Sequence, residues 1–310
     1  MCAINQTQIT YVKLLGFRGL YTFKIPFFIL FLLTYMLIFT GNTLIIILVS
    51  TVDQLKIPMY LFLKHLATTD VLMTTSVVPM TLDIIVKDEG EISLVGCIIQ
   101  LYCFAIFGCL QSFLIAVMSY DRYLAICNPL RYSSLMNSHV ISPLIIGLWV
   151  LVIILLSSEV IELFQMNYCG LNSIDHFFCD FSPVVELATS DTSAFMLHDF
   201  IISLFTFVFP FAVIIITYIC IVVTILRISS TFGRRKAFST CGTHLSMVCA
   251  YYGTIIIVYV VRDRSTSTNK YRSLLYTVVS PLMNPIIYSL RNHEIKSALQ
   301  KVLAEFKVKK

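Results

Sequence analysis

The segment MSYDRYLAIC, residues 118–127, closes an apolar run, FAIFGCLQSFLIAVMS, that begins at Phe104. The run stops at two opposite charges, Asp121 and Arg122, flanked by Tyr120 and Tyr123. About 20 apolar residues cross the hydrocarbon core of a bilayer, so the charge pair reads first as the place where a membrane helix reaches water. An arginine there can snorkel, its stem among apolar groups and its guanidinium at the interface. Held beside an aspartate, it can equally form a local ion pair that another partner displaces, which describes a switch. The segment alone leaves both readings open.

The rest of the chain sets this helix among others. Of 310 residues, 58% are hydrophobic and 13% charged, with mean hydropathy +0.87, whereas a globular chain is about half apolar and a quarter charged. Windows of spanning length fall at 26–50, 57–80, 96–120, 140–161, 197–226, 238–261 and 272–290. Unpaired backbone in hydrocarbon costs several kcal/mol, and these runs lack the alternation of a barrel strand. The fold expected is therefore an all-α membrane protein, a seven-transmembrane helix bundle. Pro79, Pro210, and Pro281 with Pro285 predict kinks in the second, fifth and seventh spans. No repeat or low-complexity run divides the chain. Residues 1–25 form an N-terminal segment, 26–290 the seven-span domain, and 291–310 a tail. The N-terminus lacks the pattern of a cleavable signal, so the first span is expected to direct insertion.

Seven spans put the termini on opposite sides. The side holding the C-terminus carries 14 of the 22 Lys and Arg, and such an excess marks the cytoplasm. Lys13, Arg18 and Lys24 before the first span argue the other way, so the orientation rests on the sum. Asn5-Gln6-Thr7 is a glycosylation sequon, useful only outside the cytoplasm. Of ten cysteines, Cys103, Cys109, Cys127, Cys220, Cys241 and Cys249 fall in or beside spans, where small buried thiols are common. Cys2, Cys97, Cys169 and Cys179 lie outside, and four cysteines allow three pairings. No zinc spacing, phosphate loop or hydrolase motif occurs, so no enzymatic chemistry and no cofactor is expected. Basic stretches sit beside spans and imply no nucleic acid.

Further motifs join the opening one: Gly41-Asn42, PMYLFL at 58–63 with Asp70 beyond, LAICNPLRY after Arg122, KAFSTCGTHL at 236–245 and PLMNPIIYSLRN at 281–292. Together and in this order they resemble vertebrate olfactory receptors, within the rhodopsin-like G-protein-coupled receptors, over nearly the whole chain. The resemblance implies a plasma-membrane receptor with its N-terminus outside and its C-terminus in the cytoplasm. It implies a small odorant ligand and a stimulatory, olfactory-type heterotrimeric G protein that raises cyclic AMP. By the family pattern Asp121, Arg122 and Tyr123 form the coupling end of the third span. Arg122, Tyr218 and Tyr288 rearrange as the sixth span swings out to admit the G-protein α subunit. A disulfide between Cys97 and Cys179 follows from the same resemblance. The partner that relatives place at position 189 is Thr189 here, so Cys169 is left free or pairs with Cys2.

Asp70 lies mid-span, where an ionisable residue is a functional hypothesis by default. The resemblance gives it Asn42 and Asn284 as neighbours, with Pro285 in the same motif. Relatives add a glutamate on the third span, but Gln111 stands there, so a hydrated polar network competes with a sodium site. For the ligand, the resemblance implies a wall of Phe104, Ala105, Gly108 and Cys109, then Ile202, Ser203 and Thr206. Tyr252, Ile255, Ile256 and Tyr259 continue it on the sixth span, and Leu274 and Thr277 on the seventh. Each of these residues is also a plausible packing residue. As a set they suit a small, mostly apolar ligand. Phe104 occupies the place where amine receptors hold an aspartate, which argues against biogenic amines. A ligand of about ten heavy atoms would bind at about micromolar. The tail spaces Ile295, Leu299, Val302, Leu303 and Phe306 as one helical face, expected to lie on membrane lipid. A rhodopsin-like receptor for another small ligand in another tissue shares these mechanics. A transporter or channel would need more intramembrane charge than Asp70 alone.

Overall fold

The computed structural model describes residues 7–17, 19, 23–260 and 266–308. Asn5, Cys2 and Arg18 lie outside the described residues, as do the side chains of Tyr259, Leu303 and Phe306. Among the described residues six helices are long and apolar enough to cross a membrane. The first four spans are α1 (Lys24–Thr51), α2 (Pro58–Lys87), α3 (Leu94–Cys127) and, after the short α4 (Pro129–Leu135), α5 (Ser138–Gln165). After another short helix, α6 (Phe181–Glu186), the fifth span joins α7 (Ser193–Ser203) to α8 (Phe209–Leu226) through a π turn at Leu204–Val208. The sixth is α9 (Thr231–Ile255), continued as a π turn over Ile256–Val260. The seventh joins α10 (Thr266–Leu274) to α11 (Ser280–Arg291) through a π turn at Leu275–Val279, and α12 (His293–Val308) follows. The seven-span bundle expected from hydropathy is thus the fold.

Local chemistry sets the ends. Pro58 opens α2, where its missing N–H would have been unpaired anyway. Ser93 caps α3 by accepting from the Gly96 amide, and Asn137 caps α5 by accepting from that of Val140. The irregularity expected at Pro210 and Pro281 takes the form of π turns. A proline cannot donate to the carbonyl four residues back, which here belongs to Thr206 or Thr277, each inside a π turn. Their hydroxyls donate instead to Ile202 O at 2.9 Å and Ser273 O at 2.8 Å. The third π turn, in the sixth span, has no proline and was not expected from the sequence.

The third span is the axis of the bundle. Its most apolar stretch is 61% buried, against 28% for the first, fourth and fifth spans. Those three turn large apolar side chains outward, among them Leu30, Leu33, Ile146, Ile154, Leu197 and Ile216. On a soluble protein such a surface would aggregate; in a bilayer it meets lipid. The first and seventh spans are in close contact at Gly41, where an added Cβ would lie 2.9 Å from Pro285 Cβ. Gly41→Val is therefore expected to destabilise the bundle by about 1–3 kcal/mol through overpacking. The check is a lowered midpoint in thermal unfolding of the detergent-purified chain.

The N-terminal segment is not a loose extension. Tyr11–Leu14 forms β1, pairing antiparallel with β2 (Gly90–Ser93) and parallel with β3 (Ser173–Ile174), in the order β2-β1-β3. Its inward residues, Val12 and Leu14, are fully buried beneath the loop that precedes α6.

Candidate functional site

At the inner end of α3, Asp121 is fully buried and its Oδ2 lies 3.5 Å from Arg122 Nη2. Tyr132 of α4 donates to Asp121 Oδ1 at 2.8 Å. Arg122 also rests on Met59 Sδ, and its Nε has no hydrogen-bond partner. Tyr218 OH pairs with His244 Nδ1 at 2.7 Å, and Tyr288 OH donates to Met247 Sδ at 3.3 Å. The three residues expected to rearrange together are thus each held by separate partners, two of them on the sixth span. Tyr123 faces Tyr120, ring centroids 5.9 Å apart. Two quoted motifs meet one level away, where Tyr60 donates to Asn292 Oδ1 at 3.0 Å. The same oxygen accepts from the amides of Glu294 and Ile295, capping α12.

Mid-bundle, both oxygens of the buried Asp70 carboxylate accept from amide side chains. Gln111 Nε2 donates to Oδ1 at 2.8 Å and Asn284 Nδ2 to Oδ2 at 2.7 Å. The residue that replaces the family glutamate therefore turns a donor toward Asp70. Asn42 is placed otherwise than expected: its amide donates to the carbonyls of Ile38 and Pro281, at 3.0 and 3.2 Å. The Pro281 carbonyl is open to it because Pro285, four residues on, has no N–H to donate.

The outer half brings most of the expected wall together. Cys109, Ile202, Thr206, Tyr252 and Thr277 are buried, and Ala105 and Ile255 pack against the same core. Phe104 lies 5.2 Å from Phe178 of the outer loop and 5.5 Å from Tyr276 of the seventh span, centroid to centroid. Gly108, Ser203 and Leu274 are half-buried beside them. Ile256 differs, being 45% exposed. The third and sixth spans are tied directly: Tyr251 donates to Gly108 O at 2.7 Å, and Ser112 Oγ lies 2.8 Å from Tyr252 OH. Phe178, Tyr276, Ser112 and Tyr251 were not anticipated, because single hydroxyls and rings in an apolar run carry no positional signal.

A polar seam fastens the outer loop over this wall. Lys270, nearly buried, donates to Gly16 O and Asp175 Oδ1, both at 2.7 Å. Tyr276 donates to Asp180 Oδ2 at 2.5 Å. His176 Nδ1 accepts from the Phe178 amide, leaving Nε2 3.2 Å from Ser273 Oγ. Burial pushes the His176 imidazole below its ordinary range, and Asp180 opposes this only in part, so the ring is neutral at physiological pH. Cys97 and Cys179 form a disulfide, Cα atoms 5.4 Å apart. Cys169 is disulfide-bonded as well, which corrects the reading of a free thiol; its partner lies outside the described residues.

Past the seventh span, α12 buries Ile295 and Ala298, with Leu299 and Val302 packed on the bundle core. Apart from the wall described above, an apolar groove of about 250 Å³ lies between α1, α11 and α12, lined by Leu37, Leu44, Leu282, Ile286 and Leu299 with Lys296 at its edge.

Comparison with known proteins places these features in a family. The family model described as "Olfactory receptor" matches residues 31–306. Olfactory receptor 5P81 of Mus musculus is 44% identical over 303 residues, covering 97% of this chain and 96% of the relative. Olfactory receptor 10A7 of Homo sapiens is 40% identical over 307 residues, 98% and 97% of the two chains. Olfactory receptor 1f45 of Rattus norvegicus is 40% identical over 306 residues, 98% of each.

Proposed function

The chain belongs to the olfactory receptor family, multi-pass plasma-membrane receptors that couple to G proteins and catalyse no reaction; from that premise we propose how it takes its ligand and passes the signal on. The ligand is a small, mostly apolar odorant in the outer half of the bundle. It lies between Phe104, Ala105, Gly108 and Cys109 of the third span and Ile202, Ser203 and Thr206 of the fifth. Tyr252, Ile255, Leu274 and Thr277 close the remaining sides. The N-terminus, with Asn5 glycosylated, faces outside and the C-terminus the cytoplasm. The partner is the stimulatory, olfactory-type G protein, and the readout is cyclic AMP. The lysines of α12 lie near the lipid of the inner leaflet.

One observation carries this reading. The sixth span is bonded to the ligand wall at its outer half, through Tyr251 and Tyr252, and to Tyr218 at its inner half, through His244. A ligand that favours a displaced sixth span therefore also loosens the inner contacts beside Arg122. It can shift that equilibrium only by its differential affinity for the two arrangements. Asp70, caged by Gln111 and Asn284, with Asn42 and Pro285 alongside, serves as the polar bearing between the moving spans rather than as a sodium site.

The experiment is an odorant panel applied to cells that express the chain with the olfactory stimulatory G protein, surface delivery being confirmed by antibody. Some odorants are expected to raise cyclic AMP with half-maximal response at about micromolar concentration, the strength expected of ligands this small. A full panel without response at normal surface levels would overturn the reading.

A further inference from the structure

The outer halves of the fourth and fifth spans hold carboxylates that neither the switch nor the loop seam uses. Glu159 of α5 is 9% exposed, and its Oε1 has no hydrogen-bond partner. Its electrostatic neighbours are Asp199 of α7 and Glu162. Cys109, in the ligand wall beside Thr206, lies within the field of both Glu159 and Asp199. Glu159 Oε1 is therefore closed off from the lipid-facing surface, within electrostatic reach of the wall at Cys109. The base of this corner, His198, lies with Nδ1 2.8 Å from Glu162 Oε1 and Nε2 3.4 Å from Ser158 Oγ, and its charge, when it is protonated, acts on Asp199.

The sequence sharpens this imbalance. Residues 132–226 contain seven Asp and Glu and neither Lys nor Arg, and the third span from Leu94 to Tyr120 has no Lys or Arg either. A buried carboxylate without a cation is held at a cost of several kcal/mol. What this corner lacks is a compact positive charge with several N–H donors. Phe104 argued against amines because it removes the counter-charge from the third span. Glu159 and Asp199 supply one from the opposite wall.

We propose that Glu159, with Asp199 beside it, is an anchoring subsite for the protonated amino group of a small amine whose apolar body lies along Cys109, Ile202 and Thr206. The inference rests on the odorant-receptor reading above and names the class of ligand that reading leaves open. A primary ammonium offers three donors, enough for Glu159, Asp199 and one hydroxyl of the wall. The apolar body answers the rest of the lining.

The test uses the full chain in cells, with hexylamine and octylamine set against hexanol and octanol. The amines are expected to act at lower concentration than the alcohols. Glu159→Gln and Asp199→Asn should each raise the half-maximal amine concentration about tenfold or more, the scale of losing one partner of a buried charge pair. The alcohol responses should move less than about threefold, since apolar contacts remain. The subsite is overturned if other odorants activate the chain and amines do not, or if surface-delivered Glu159→Gln leaves the amine response unchanged. Should Glu159→Gln fail to reach the surface, Asp199→Asn decides by the same criterion. A wild-type chain at the surface that answers no odorant of any class overturns the receptor reading, and the subsite with it.

Discussion

Arg122→Ala is expected to abolish odorant-evoked cyclic AMP while leaving odorant binding within a few-fold of wild type. The bonds of the guanidinium are incomplete: one ion pair with Asp121, a contact with Met59 and an Nε without a hydrogen-bond partner. An arginine held so loosely in a buried setting can exchange its partners for those of a docking helix. The variant also strands Asp121, fully buried with Tyr132 alone, and an uncompensated buried charge costs about 3–5 kcal/mol. The comparison must therefore include Asp121→Asn, which keeps the bond from Tyr132 and releases Arg122. That variant is expected to raise basal cyclic AMP, the opposite sign. The measurement is cyclic AMP normalised to surface antibody signal, with a fluorescent or radiolabelled agonist for binding. Retained signalling in surface-delivered Arg122→Ala, or silence in both variants, would count against the switch.

The spans and the inner motifs were legible in the sequence because the bilayer imposes their length and because charge inside hydrocarbon is costly enough to stand out. Asp70 and the Asp121–Arg122 pair announce themselves in this way. Glu159, in the run IILLSSEVIELF, obeys the same rule but belongs to no motif. What sets it apart is the lack of a hydrogen-bond partner at Oε1, a feature of the folded bundle and not of the sequence. The resemblance makes Asn42 a neighbour of Asp70, but the amide of Asn42 does not donate to that carboxylate. Its acceptors are the carbonyls of Ile38 and Pro281, the second left open because Pro285, four residues on, has no N–H to donate to it. The strands at 11–14, 90–93 and 173–174 escaped for another reason. Four residues of alternation in YVKL are too few to signal a strand, and the partners lie far along the chain. The outer lid is thus the part of the site least readable from sequence, although it covers the ligand wall.

That lid makes the second prediction. Cys97→Ser or Cys179→Ser is expected to lower surface delivery by about an order of magnitude and to remove the odorant response of the chains that arrive. Cross-linking residues 82 apart stabilises by roughly 4–5 kcal/mol in the chain-entropy picture. The bilayer already aligns the spans, so the bond constrains chiefly the outer loop, and there it acts with a set of weaker ties. The Cys179 amide donates to Gln100 Oε1 at 3.0 Å, while Gln100 Nε2 donates to Ser76 O at 2.8 Å. Thr81 donates to Phe177 O at 3.3 Å, and Phe177 and Phe178 are fully buried. Each such bond contributes about 0.5–1.5 kcal/mol, and the two made to the loop, at Cys179 and Phe177, do not survive its swinging away. Losing the disulfide therefore also frees Phe178 from Phe104 and β3 from β1, exposing the wall to water. Because both thiols serve one bond, the double variant should behave like either single one. Flow cytometry with an N-terminal tag compares the three: additive losses would show that the cysteines act separately, and normal delivery of any of them would show that the seam of Lys270, Tyr276 and Asp180 holds the lid unaided.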